Sequence, residues 1–78
     1  MKKIAKIIFK IHRFIYGIPT KSEVRLAMDG LIHIGGVKWF VCMLYVCDEK
    51  IEDICEWMAL SEKEVKDYLN QAADEVVL

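Results

Sequence analysis

The side chains best suited to recognition chemistry lie in one short run: Ser61, Lys63, Lys66 and Asn70. A hydroxyl and two ammonium groups suit phosphate oxygens and guanine edges, and a carboxamide suits adenine, so the set has the donor pattern of a duplex-DNA reader. A second basic set, Lys2, Lys3, Lys6, Lys10 and Arg13, could run along phosphates. The opposite chemistry is interleaved with the first set. Glu52, Asp53, Glu56, Glu62, Asp67, Asp74 and Glu75 could dock a basic protein surface. Catalytic and metal chemistry find no matching constellation. His12 and His33 have no cysteine or acid at ligand spacing, and Cys42 and Cys47 fit no zinc pattern. Gly35-Gly36 is a pair, not a phosphate-cradling loop. Glu49, Glu52, Asp53 and Glu56 read as a solvated helix face, because general acid–base work needs a pocket that raises a carboxyl pKa. No enzyme activity, metal or cofactor is expected.

Helices must position these groups. Ile51, Ile54, Cys55 and Met58 recur at steps of three and four, as do Val65, Tyr68, Leu69 and Ala72. Between the two stripes lies Ala59-Leu60-Ser61. Ser61 and Glu64 have capping-box spacing, which predicts a helix starting at Glu62. Two helices across a three-residue turn make a helix-turn-helix, predicted over 49–77 with Asp48-Glu49 in the first turn. Residues 1–17 form a basic amphipathic helix, with Ile4, Ile7, Ile8, Ile11, Phe14 and Ile15 on one face. Its stripe is expected in the core; a nucleic-acid arm is weighed second, and a membrane-surface helix last. A second helix over 20–34 opens on a capping box of Thr20 and Glu23. A third, over 37–47, is apolar nearly all round and is expected to be buried as a support helix. A β-hairpin over 31–41 with a glycine turn is the weaker alternative. Trp57 is assigned to the edge of the core. The fold class is therefore all-α, a single domain of four or five helices.

The stretch from Val37 to Val77 resembles the helix-turn-helix of sigma-factor region four and of LuxR-type regulators. The matching features are Ile54-Cys55 where the helices cross, the turn Ala59-Leu60-Ser61, and Val65-Lys66 after it. The resemblance implies a small transcription regulator that binds duplex DNA as a homodimer. It also makes RNA polymerase or a sigma factor the alternative partner, reached through the acidic face in the manner of small phage-encoded regulators. One departure stands out: from Glu62 to Glu75 there are five acids against two lysines. An acidic reading helix works against phosphate attraction.

Composition sets the outer bounds. At 78 residues the chain is one small domain, and 55% apolar residues leave some apolar surface exposed in a monomer. Charge is polarised: residues 1–25 hold seven lysines and arginines against one acid, whereas residues 26–78 hold four against eleven acids. Such a chain has a basic and an acidic face, which either attract one another or meet different partners. Three cysteines, Cys42, Cys47 and Cys55, and no signal peptide suggest reduced core residues of a cytoplasmic protein, in the host cytoplasm for a phage product. No small-molecule substrate is expected, and a membrane is not a favoured partner.

Overall fold

Each apolar stripe at helical spacing becomes a helix in the computed structural model, which describes residues 2–30 and 36–75. The chain is all-α, with α1 Lys2–Tyr16, α2 Lys21–Gly30, α3 Gly36–Val46, α4 Ile51–Met58 and α5 Glu62–Asp74, and no strand among the described residues. Residues 37–41 are helical, so the hairpin alternative fails there; its first arm, and the end of the second helix predicted to residue 34, lie outside the described residues, as does His33. The last residues of the predicted helix-turn-helix, 76 and 77, also lie outside them.

The core is where α2, α3, α4 and α5 meet. Val24 and Ala27 come from α2, Val41, Cys42 and Tyr45 from α3, Ile54 from α4, and Val65, Leu69 and Ala72 from α5. Tyr45 carries the one long polar tip in this cluster. Its hydroxyl donates to the carbonyl of Pro19 at 2.6 Å, which fastens the α1–α2 linker to α3. Burial raises the Cys42 thiol to about 11, so it stays a neutral core group at physiological pH. Cys55 is half-buried and packs against this cluster, whereas Cys47 is exposed, which corrects its expected place in the core. α3 is also less enclosed than its composition predicts: Val37, Trp39 and Phe40 remain exposed, because only its Val41, Cys42 and Tyr45 side faces the other helices.

The C-terminal end of the support helix and the turn between α4 and α5 are set by backbone chemistry. α3 closes at Asp48 (φ 69°), whose N–H reaches the Tyr45 carbonyl while that of Glu49 reaches Leu44. This is the Schellman arrangement, and it keeps Asp48 and Glu49 out of the helix they were expected to begin; α4 starts at Ile51. The same arrangement ends α4, with Ala59 at φ 54° and the Leu60 N–H on the Cys55 carbonyl at 3.0 Å. Alanine in this left-handed conformation costs roughly 1–2 kcal/mol, a penalty glycine escapes. Ala59 is exposed and its methyl has no core role. Ala59→Gly should therefore stabilise the domain by about 1 kcal/mol, raising Tm by roughly 4–8 °C in a thermal melt. Ser61 then opens α5 with both capping-box bonds, Glu64 N–H to Ser61 Oγ at 3.1 Å and Ser61 N–H to Glu64 Oε1 at 3.2 Å.

α1 stands outside the core cluster. It docks along the opposite side from its isoleucine stripe. Phe9 is buried, the His12 Nδ1–H donates to the Ile18 carbonyl at 2.9 Å, and Arg13 reaches α5. The stripe itself faces solvent: Ile4, Ile7, Ile8, Ile11 and Ile15 are each more than half exposed, and Phe14 is 91% exposed. This overturns the expectation that the stripe packs in the core. A period of three and four shows which residues share a face, not which face is covered. Among the described residues no helix is long and apolar enough to cross a membrane.

Candidate interaction surface on α4 and α5

The predicted DNA-reading groups are engaged within the protein. Ser61 caps α5. Lys63 pairs with Asp67 at 3.2 Å and Lys66 with Glu62 at 2.8 Å, each one turn away on the same helix. The hydrogen bond and charge of Lys66 hold the Glu62 carboxyl below its ordinary range. Asn70 bridges to α1: its Oδ1 accepts from Arg13 Nε at 3.2 Å and its Nδ2 donates to the Gly17 carbonyl at 3.1 Å. Arg13 also pairs with Asp74 at 2.9 Å. These contacts tie the basic end of the chain to the acidic end. Lys6 and Lys10 line a 280 Å³ cavity between α1, α2 and α5 with Phe9, Arg13, Glu23, Ala73 and Asp74. Lys2 and Lys3 begin α1, and their side chains lie outside the described residues.

Glu23 is the polar residue that spacing alone misreads. Thr20 Oγ1 does accept from the Glu23 N–H at 3.0 Å, so half of the expected box is present. The Glu23 carboxyl does not return to Thr20. It turns inward, only 7% of the residue is exposed, and its Oε1 has no hydrogen-bond partner among the described residues. Burial raises its pKa above the ordinary 4.5, opposed by Arg13, reinforced by Asp74 and opposed by His12. Between the unfolded and folded values the native state holds a proton that the unfolded chain has released. Stability from this group therefore falls as pH rises through that window. Asp48, held down by its hydrogen bond and charge pairing with Lys21, and Glu62 act in the opposite sense, but only below the ordinary carboxylate range. Urea midpoints should accordingly rise on acidification from neutral to about pH 5, and Glu23→Gln should remove that gain.

The acidic groups are disposed differently. Asp67, Glu62 and Asp74 have cationic partners, and Glu75 is exposed at the C-cap of α5. On α4, Glu52, Asp53 and Glu56 make no ion pair among the described residues. Glu52 and Glu56 sit one turn apart as like charges, a mildly unfavourable arrangement. Trp57 lies beside them, 58% exposed, one turn from Asp53. Its expected place at the core edge is corrected, because Ile54 fills the centre of the α4 inner face and leaves the indole outside. Next to this patch an open 490 Å³ groove runs between the α3–α4 turn and the start of α5, lined by Lys21, Tyr45, Asp48, Glu49, Lys50, Ile51, Glu52 and Glu62. Asp48 and Glu49 join the surface because the Schellman turn projects them there, a placement that helix periodicity does not reveal.

Charge and shape together define what this surface can do. An exposed indole amid unpaired carboxylates offers an apolar anchor with an anionic surround, suited to a basic protein face. It offers phosphate little, since like charges repel. Among the described residues no three His, Cys, Asp or Glu side chains gather as a metal site would require. Compared with models of known families, with curated proteins and with solved structures, the chain matches none, so the chemistry of the surface itself carries the functional reading.

Proposed function

We propose that the protein is an interaction module in helix-turn-helix form, which docks a basic surface of the transcription machinery through α4 and the adjoining groove. The observation that carries this reading is Trp57 standing exposed beside the unpaired carboxylates of Glu52, Asp53 and Glu56. The likeness of Val37 to Val77 to sigma region four and LuxR-type domains points to RNA polymerase or a sigma factor as the partner. Aromatic anchors supply most of the affinity in such interfaces, and the charges set on-rate and orientation. Titration of purified polymerase, with and without sigma factor, into the labelled protein tests the reading. Saturable binding that weakens with salt is expected; no binding to either at low salt would contradict it.

A second reading keeps a specific observation in its favour. The capped α5, presented by the Ala59 turn, has the backbone form of a groove-reading helix. In that reading a homodimer places two such helices on half-sites about one helical turn apart. The acids interleaved with Lys63 and Lys66 along α5 repel phosphate, which makes it the weaker of the two.

A further inference from the structure

The isoleucine stripe of α1 is used neither by the core nor by the surface on α4. We infer that α1 is a membrane-surface helix that seats the protein on anionic lipid headgroups, whatever α4 and α5 bind. Five isoleucines and Phe14 are displayed together on one face, a run of exposed apolar side chains of the kind that marks an interaction site. Phe9 and Arg13 hold the opposite side of the helix to the domain, so the stripe points outward.

Charge selects the occupant. No acid precedes Glu23 in the sequence, while Lys2, Lys3, Lys6, Lys10 and Arg13 all fall within α1. Lys6 and Lys10 are exposed, and neither makes an ion pair among the described residues. A second copy pairing stripe to stripe would bring two wholly basic helices together with no acid on either to offset them. Other exposed apolar groups of a second copy, Trp57 on α4 and Val37, Trp39 and Phe40 on α3, are on average less exposed than the stripe, and α3 carries no acid to match the lysines of α1. An anionic bilayer answers both features, taking isoleucine and phenylalanine to the acyl boundary while lysines meet headgroups. The acidic half of the domain does not prevent this. Arg13 neutralises Asp74, which lies against α1.

Flotation of the full chain with vesicles tests this inference. The protein should float with vesicles of equimolar phosphatidylserine and phosphatidylcholine at low salt, less at high salt, and far less with phosphatidylcholine alone. Ile7→Glu with Ile11→Glu should lower partitioning by at least about 100-fold, since two buried isoleucines are lost. Both positions are more than half exposed, so the variant should keep the wild-type urea midpoint, and that measurement accompanies the flotation. Sedimentation velocity without lipid should show a monomer. No flotation, or equal flotation with neutral vesicles, would overturn the inference. So would a stable dimer that the same double variant splits, since the stripe would then belong to a second copy.

Discussion

Leu69→Ala should lower the unfolding free energy by about 2–5 kcal/mol, enough to abolish a cooperative transition or move it far down in urea. Leu69 is fully buried in α5, the helix that packs against α2, α3 and α4 at once. Truncation there leaves a cavity at the junction of four helices, and Ile54, Val41 and Val24 are themselves fully enclosed and poorly placed to collapse into it. A domain of 78 residues holds roughly 4–12 kcal/mol in total, so the loss is a large part of the whole. The same truncation at Ile8 should cost no more than about 0.5 kcal/mol, because that side chain is exposed on α1. Urea midpoints of the two variants measured side by side check this contrast. A comparable loss at Ile8 would mean that the stripe of α1 is covered within the folded monomer.

The second large effect concerns binding. Glu52→Lys with Glu56→Lys should weaken association with a basic partner by at least about 100-fold, mainly through slower association and lost orientation. Trp57→Ala should cost about 30-fold or more, as exposed tryptophan anchors commonly do. Both changes lie on the outer side of α4, where Glu52, Glu56 and Trp57 are exposed, so the fold should survive them. Equilibrium titration of each variant against purified polymerase or sigma factor reads the effect, with urea midpoints as the control for folding. Unaltered affinity in both variants would remove α4 as the docking surface.

Much of the fold could be read directly because its determinants are local. Ser61 and Glu64 carry the start of α5 in two side chains at fixed spacing, and both capping bonds form. Val65, Leu69 and Ala72 mark the inner face of α5, and all three are fully buried. The surface was less legible because exposure depends on what stands opposite a residue. On α1, the dominant stripe is bare and the docked side is formed by Phe9, His12 and Arg13, which periodicity alone leaves unremarked. Trp57 is left outside by the fit of Ile54, and Glu23 is enclosed once α1 lies over α2. Asn70, read from its type as an adenine partner, is oriented by Arg13 and Gly17, more than fifty residues away in sequence.

We propose that α4 and α5 present their acids to protein instead of their lysines to DNA. Fluorescence anisotropy of labelled random duplex DNA, titrated with the protein at low and then moderate salt, tests it most directly. With Lys63 and Lys66 paired to Asp67 and Glu62 and unpaired acids on α4, α5 is not expected to read DNA: any weak attraction that the α1 lysines supply at low salt should vanish at moderate salt and be unchanged in Lys63→Glu with Lys66→Glu. Tight binding that falls steeply with salt and is lost in Lys63→Glu with Lys66→Glu would contradict the account and place α5 in the major groove.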